Sequence, residues 1–325
     1  MSRILAVYRV RCAAADIERR ADALAVEQSV EMPVSAIEDR RILDEIVGRV
    51  VSIAERAAGV FEVRIGLAAA TTGPEPGQLL NMLFGNSSIH EEVTLEDAVF
   101  PYEIAAAFGG PNHGLAGLRE RAGARGRAMT CTALKPQGLP PDALAALAGR
   151  FARGGVDFIK DDHGLADQVY SPFAARVRAC ARAVAEVNAE TSGRCSYLPS
   201  LSGDLDRLRE QAEIAHESGL DTLLIAPMIV GLPAFHALVR AFPDMAFMAH
   251  PALAGAARIA PPLLLGKLFR LFGADATIFP HHGGRFGYSP ETCRDLAQAA
   301  RAPWDGLPAT VPVPAGGMTP ERVPE

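Results

Sequence analysis

Lys160, Asp161, Asp162 and His163 stand side by side at the end of a short apolar segment, 156–161, which we predict as a β-strand. Neighbouring carboxylates suit a hard cation such as Mg²⁺, whose coordination is often completed by water and substrate oxygens. The same residues are also typical of a salt-bridged strand end, in which Asp162 would cap a helix. The local sequence leaves both interpretations open.

Lys135 has a similar position at the end of the predicted strand 128–135. A lysine enclosed by apolar walls can have a lowered pKa and shuttle protons. The alternative interpretation is a lysine whose side chain extends to solvent at the rim. The glycine pairs 283–284 and 316–317 could bind a phosphate through backbone N–H groups, although most such pairs are simply turns.

These residues are positioned by a regular succession of elements that begins at about residue 127. Apolar strands joined by amphipathic helices predict a parallel sheet. We predict seven strands, at 128–135, 156–161, 196–201, 222–227, 246–250, 277–280 and 310–314. We favour an α/β fold of the (β/α)₈ TIM-barrel type, with the eighth unit missing from this chain, over a doubly wound sheet, because no G-x-G-x-x-G follows an early strand. Such a barrel gathers its polar strand ends at one rim, where its active site lies.

Residues 1–115 lack this rhythm, and we assign them to an N-terminal α+β domain that precedes a barrel domain at 116–325. Within the first domain we predict a strand at 4–10, a helix at 14–28 and another strand at 62–67.

Composition excludes several classes of protein. The 325 residues carry a net charge of −6, which argues against nucleic acid or an anionic membrane as a partner. The five cysteines are widely spaced and form no C-x-x-C, which favours a reducing, cytoplasmic location. We see no secretory signal, and the most apolar stretch, 223–239, is too interrupted by proline, glycine and histidine to span a bilayer.

Five segments resemble motifs of the RuBisCO large-subunit family and occur in the family's order. GGVDFIKDDHG resembles the metal-site signature G-x-D-F-x-K-D-D-E, and CTALKPQG resembles the strand C-T-x-K-P-K-x-G. FGGPNHG resembles F-x-G-P-x-H-G, LFGNSS resembles a segment ending in G-N, and GGMTP resembles the loop S-G-G-I-H. Several ordered motifs are far more specific than any one of them, and together they imply a barrel behind an α+β domain.

The resemblance implies a role for each matching residue. Lys160 matches the lysine that the family carbamylates with CO₂, Asp162 matches a carboxylate ligand of Mg²⁺, and His163 replaces a glutamate ligand. One Mg²⁺ per subunit would thus be held by Lys160, Asp162 and His163, and the implied catalytic residues are Lys135, Lys160 and His163. The implied substrate-binding residues are Glu27, Asn86, Gln137, His250, Arg285, Gly316 and Gly317.

Departures from the family pattern argue against CO₂ fixation. Gln137 replaces the second lysine of K-P-K, and Pro251 replaces a phosphate-binding arginine. Arg285 falls near the place of a catalytic lysine, although arginine is a poor proton shuttle. The chain therefore resembles the non-carboxylating, form IV RuBisCO-like proteins. Glu27 and Asn86 match the part of the family that closes over a neighbour's barrel, which implies a homodimer.

We favour a Mg²⁺-dependent decarboxylase or C–C hydrolase of a 3-oxo sugar acid phosphate, such as 3-oxo-isoapionate 4-phosphate, because decarboxylation generates its own metal-stabilised enolate. The alternative is an enolase or isomerase of the methionine-salvage type, with Lys135 as the base or the final acid. A hypothesis of another class is a non-catalytic sugar-phosphate binder. His163 motivates it, whereas the retained lysines and Asp162 oppose it.

His163 has two interpretations of its own. As a ligand it would shift the metal preference towards Mn²⁺, because imidazole favours softer first-row metals. We favour the other role, in which His163 leaves the metal and moves a proton near pH 7.

Overall fold

The computed structural model describes residues 2–319 and 321, and the first part of the chain forms an antiparallel sheet of four strands. The strands are β1 (Arg3–Arg11), β2 (Arg49–Ala57), β3 (Val60–Ala68) and β4 (Val93–Val99), in the order β2-β3-β1-β4. The helices of this part are α1 (Ile17–Glu27), α2 (Pro76–Phe84) and α3 (Tyr102–Phe108). Alternate residues of β1 are buried beside α1, as a half-buried strand requires. The strands predicted at 4–10 and 62–67 are confirmed, and the helix predicted at 14–28 begins with a 3₁₀ turn.

The second part alternates strands with helices. The strands are β5 (Cys131–Leu134), β6 (Phe158–Asp161), β7 (Ser196–Leu198), β8 (Ser200–Leu201), β9 (Thr222–Ile225), β10 (Ala246–Ala249), β11 (Ala276–Pro280) and β12 (Val311–Ala315). The helices are α4 (Gly114–Ala122), α5 (Pro141–Arg153), α6 (Phe173–Thr191), α7 (Leu205–Glu217), α8 (Pro227–Val230), α9 (Leu232–Ala241), α10 (Phe269–Leu271) and α11 (Pro290–Arg301). A π-helix, Pro262–Leu268, leads into α10.

The barrel strands are parallel, and neighbours in the chain are neighbours in the sheet. Pro199 divides the strand predicted at 196–201 into β7 and β8, because proline has no N–H to donate to a partner strand. The sequential order confirms the TIM-barrel prediction over a doubly wound sheet, in which the order would reverse. Within residues 2–319 and 321 no hydrogen-bonded pairing joins β5 to β12, so the ring of strands is open there.

Helix α4 closes the end of the barrel at which the strands begin. Leu118 packs among the residues inside the barrel. The Arg121 guanidinium donates to the backbone oxygens of Asp221 and Asp244, which precede β9 and β10, at 2.6 and 2.9 Å. The accessible mouth is therefore at the opposite end, where the strands finish. The domain boundary predicted at residues 115 and 116 falls at the start of α4 and stays a prediction.

No helix in the described part of the chain is both long enough and apolar enough to cross a bilayer.

Asp161, the last residue of β6, is fully buried against α6. Its carboxylate accepts hydrogen bonds from Arg176 Nε at 3.0 Å, the Tyr197 hydroxyl at 2.8 Å and the backbone N–H of Ser200 at 3.1 Å. Arg176 is also fully buried, and it donates further hydrogen bonds to backbone oxygens of the loop before α6. This ion pair ties β6, the β7–β8 strand and α6 together.

Replacing Arg176 with alanine would leave the Asp161 carboxylate buried without its cation. We expect Arg176→Ala to lower the free energy of unfolding by about 3–5 kcal/mol, measured by urea denaturation. Arg178→Ala, an exposed position on the same helix, is the matched control and should change it by no more than about 0.5 kcal/mol. Equal effects of the two substitutions would show that the pair does not stabilise the fold.

Candidate active site

The register of β5 and β6 brings Lys135 to Asp162. Ala133 pairs with Lys160 and Leu134 with Asp161, so Lys135 and Asp162 are the next residues along the two strands. Their side chains form an ion pair between Lys135 Nζ and Asp162 Oδ2. Three predicted site residues thus meet at the mouth of the barrel, where the resemblance implied that they would act.

The Asp162 carboxylate is buried and has partners on both oxygens. Oδ1 accepts a hydrogen bond from the backbone N–H of Gly164 at 3.0 Å and lies 3.2 Å from His163 Nδ1. Asp162 does not cap a helix, because a turn follows it and α6 begins only at Phe173. The N–H of Phe173 instead donates to Asp167 at 2.7 Å. The Asp162 side chain therefore belongs to the group of residues at the mouth and does not stabilise the end of a helix.

Lys160 is half-buried beside these residues, and its Nζ donates to the backbone oxygen of Asp161 at 3.1 Å. Burial lowers the pKa of Lys160, and the neighbouring Lys135 ammonium lowers it further. The neutral amine is the form of lysine that reacts with CO₂. This environment therefore favours the carbamate that the sequence predicts.

His163 and His250 stack face to face across the mouth. Their ring centroids are 4.1 Å apart and the planes differ by 10°. Burial lowers the pKa of His163, and the pKa of His250 falls to about 3 through burial and its neighbours His163, Lys160 and Lys135. His250 Nδ1 accepts a hydrogen bond from the backbone N–H of Ala252 at 3.1 Å, which leaves the ring proton on Nε2. Burial and the neighbouring charges therefore favour the neutral form of both rings.

Gln137 lies against the turn that follows Asp162. A methyl group added at Gly164 would collide with Gln137 Nε2. The absence of a side chain at Gly164 thus allows the Gln137 amide to approach this turn, on the same side of the mouth as Lys135.

The predicted glycine pairs lie against each other after β11 and β12. A methyl group at Gly284 would collide with the backbone oxygen of Gly316, and one at Gly317 would come within 3.2 Å of Gly284 Cα. The Arg285 backbone N–H donates to Gly316 O at 3.1 Å, while the Arg285 guanidinium lies 5.7 Å from the ring centroid of Phe286. Arg285, Gly284 and Gly316 therefore lie together at one side of the rim, in a group separate from Lys160.

Glu27 and Asn86 form a third group, in the N-terminal part. Asn86 Nδ2 donates to Glu27 Oε1 at 2.9 Å and to Glu31 Oε1 at 3.0 Å. In the described part of the chain, no hydrogen bond or ion pair links this group to Lys160 or Asp162. Sequence reasoning did not select Glu31. Its four-residue spacing from Glu27 was a signal, but its backbone has φ of 53° and no helical continuation, which sequence does not reveal.

A divalent cation at Asp162 would need several oxygen or nitrogen donors from the neighbouring side chains. Among residues 2–319 and 321, no group of three or more His, Cys, Asp or Glu side chains is placed to hold a metal. Asp162 and His163 offer two donors, and a carbamate on Lys160 would add an anionic oxygen. The set fits a divalent cation once that carbamate is present, with positions left for water and substrate.

A family model for the ribulose bisphosphate carboxylase large chain, catalytic domain, matches residues 114–325. The chain is 62% identical to a Rhodospirillum rubrum protein named 5-methylthioribulose-1-phosphate isomerase, over 99% of this chain and 87% of the relative. It is 32% identical to the 2,3-diketo-5-methylthiopentyl-1-phosphate enolase of Geobacillus kaustophilus, over 100% of this chain and 83% of the relative. The crystal structure of a Rubisco-like protein from Rhodopseudomonas palustris superposes with a TM-score of 0.95 at 56% identity, covering 100% of this chain and 90% of that one.

The fold, the order of the motifs and these matches identify the chain as a member of the RuBisCO large-chain family, within its RuBisCO-like branch. The resemblance seen in the sequence is therefore confirmed. The matches leave the role of each individual site residue as a prediction.

The carbamate on Lys160 has a direct test. We expect ¹³C-bicarbonate with Mg²⁺ to give a carbamate resonance in the unmodified protein, because burial favours the neutral amine. Lys160→Ala and Lys160→Arg should lose the resonance, Mg²⁺ affinity and activity together, whereas Arg178→Ala should keep all three. A Lys160→Ala protein with full activity in the absence of bicarbonate would contradict the assignment.

His163→Asn tests whether the imidazole binds metal or moves a proton. Asparagine can still reach Asp162 but cannot take up a proton. We therefore expect Mg²⁺ affinity to change by no more than a few-fold and turnover to fall about 100-fold or more. His216→Asn, an exposed histidine on α7, is the control. Loss of metal binding, with turnover retained at saturating Mg²⁺, would show that His163 is a metal ligand. Small changes in both Mg²⁺ affinity and turnover would show that His163 only orients Asp162.

Proposed function

We propose that this protein is a metal-dependent isomerase of a phosphorylated ketose, of the type of 5-methylthioribulose 1-phosphate, that works through an enolate. The observation that carries the proposal is the 62% identity, over 99% of the chain, to the Rhodospirillum rubrum isomerase. The enolase from Geobacillus kaustophilus supports the same class of chemistry, because an enolate precedes either product.

The proposed roles follow from the positions of the side chains. Bound Mg²⁺ would supply the positive charge that stabilises an enolate oxygen. Lys160, as carbamate, and Asp162 would hold the metal. Lys135 is largely exposed at the mouth, as in the rim alternative, and is not enclosed by apolar walls. Its role is supported by its position, because the ion pair with Asp162 holds its side chain within reach of a substrate. We assign it the proton transfer at carbon, with neutral His163 as the second acid–base group.

Phosphate recognition is assigned to the backbone around Gly316 and Gly317, together with Arg285. Gly316 and Gly317 have φ of 87° and 127°, a backbone conformation that favours glycine, so no side chain separates this backbone from a bound phosphate. Gln137 and His250 would contact the remaining polar groups of the sugar.

The relatives favour the isomerase alternative over the decarboxylase or C–C hydrolase that we preferred from the sequence. They are named for isomerisation and enolisation of methylthio sugar phosphates, and neither name refers to loss of CO₂. An isomerase must remove a proton from carbon and return one, so it needs both Lys135 and a neutral base. A decarboxylase would need only the final protonation.

The homodimer remains part of the proposal. Glu27, Asn86 and Glu31 are joined in the N-terminal part, away from the Lys160 group of the same chain. We assign Glu27 and Asn86 to the substrate site of a second copy, as the sequence resemblance implied.

Activity assays with two substrates distinguish the proposed isomerase from a decarboxylase. With Mg²⁺ and bicarbonate present, we expect 5-methylthioribulose 1-phosphate to be converted into an isomer without release of CO₂. In D₂O, proton NMR should show deuterium entering the product at carbon. We expect Lys135→Met, which keeps the length of the side chain without its charge, to slow turnover about 100-fold or more.

Release of CO₂ from 3-oxo-isoapionate 4-phosphate, with no conversion of the methylthio sugar, would overturn the proposal in favour of the decarboxylase. Tight binding of both phosphates without turnover of either would instead favour the non-catalytic binder.

A further inference from the structure

The barrel part exposes its large apolar side chains at one end only. Among residues 116–319, every large apolar side chain that is exposed lies in a segment that follows a barrel strand, after β6, β9, β10, β11 or β12. These side chains are Val169, Tyr170, Ile229, Leu253, Phe286 and Met318. Exposed apolar residues are ordinary when they are scattered, but these six share the end of the barrel at which a substrate must enter.

Leu253 differs from the other five in its backbone. It is the third residue of the turn 251–254, which is closed by a hydrogen bond from the N–H of Ala254 to Pro251 O at 3.0 Å, and its φ is 66°. A positive φ at this position of a turn usually belongs to glycine or asparagine, because other side chains are strained there. The Leu253 side chain is 60% exposed, so burial does little to offset the strain. Strained residues of this kind occur where a protein binds a ligand.

The loop that carries Leu253 is held at both ends. At its start, His250 Nδ1 accepts a hydrogen bond from the N–H of Ala252 at 3.1 Å. At its other end, the N–H of Leu95 on β4 donates to Arg258 O at 3.0 Å. The exposed leucine is therefore presented by a fixed loop, as a residue that orients a substrate requires.

The position of this loop matches one end of the proposed substrate. 5-Methylthioribulose 1-phosphate carries its phosphate on C1, its ketone on C2 and its methylthio group on C5. Under the proposed function, on which this inference rests, the phosphate lies at the glycine pair 316–317 and the ketone oxygen at the metal beside Asp162. The stacked rings of His163 and His250 lead from Asp162 to the end of β10. The carbon chain beyond the ketone can follow these rings to Leu253, three residues further along.

We propose that Leu253 binds the methylthio group of the substrate and sets the preference for a ketose phosphate with an apolar substituent on C5. Contact with the leucine side chain removes the sulfur and the methyl carbon from water, which favours binding. The proposal also explains the strained backbone, because glycine in this turn would leave no side chain to contact the substrate.

Two ketose phosphates test this preference, with Mg²⁺ and bicarbonate present. 5-Deoxyribulose 1-phosphate is the matched substrate, because it lacks only the methylthio group. We expect Leu253→Asn to lower kcat/KM about tenfold for the methylthio ketose and less than twofold for the deoxy ketose, mainly through KM. Asparagine adopts a positive φ more readily than leucine, so urea denaturation should show no loss of stability. Leu253→Met should keep the preference, and Val51→Asn, at an exposed apolar residue of β2, is the control.

The same ratio of kcat/KM for the two ketoses in the unmodified protein and in Leu253→Asn would overturn the proposal. A variant that keeps this ratio but dissociates into monomers in sedimentation velocity would assign Leu253 to a subunit interface instead. Calorimetry measures the binding of both phosphates independently of turnover. If neither ketose is converted, but Leu253→Asn removes tighter binding of the methylthio phosphate, the isomerase proposal fails and the assignment of Leu253 stands. If the unmodified protein neither converts nor binds the two phosphates, both proposals fail.

Discussion

The buried carboxylate of Asp161 fixes the end of β6, and the geometry of the mouth depends on it. Side chains alternate along a strand, so anchoring Asp161 towards α6 directs Lys160 and Asp162 the other way. The anchor is an ion pair with Arg176, completed by Tyr197 and Ser200, and it spans three structural elements. A buried charge tolerates little displacement, because each lost partner leaves an unsatisfied group in a medium of low polarity. Lys160 and Asp162, on either side of Asp161, are therefore held in fixed positions, as a pre-organised site requires.

The charged groups at the mouth of the barrel lie close together and affect one another's protonation. The Asp162 carboxylate pairs with Lys135 and lies 3.2 Å from His163 Nδ1, while the charge of Asp161 also acts on Lys160. Burial is the largest cause that lowers the pKa of both imidazoles, and the neighbouring lysines lower it further. Conversion of Lys160 to a carbamate would reverse this balance by replacing a positive charge with a negative one. Under our proposal, the site would bind a divalent cation only after that modification.

The N-terminal sheet contributes in two distinct places. Its helix α1 ends at the Glu27–Asn86 contact, which lies apart from the Lys160 group of its own chain. The segment at Arg258, from the barrel part, pairs with the edge of its outer strand β4. The first place concerns the substrate site of a second copy under our proposal, and the second concerns the attachment of the sheet to its own barrel.

The sequence by itself determined the local features. Periodicity and turn residues predicted the barrel strands and their order, and the K-D-D-H cluster with its ordered motifs identified the family, because these signals lie within short stretches of chain. Tertiary structure alone decided which groups meet. Arg176 and Tyr197 as partners of Asp161, the stacking of His163 on His250 and the contact of Gly284 with Gly316 all depend on strand register and helix packing. The same holds for Glu31, whose approach to Asn86 rests on a left-handed backbone at a non-glycine residue. Residues distant in sequence are brought together by the packing of whole elements, and no local pattern specifies the distance between them.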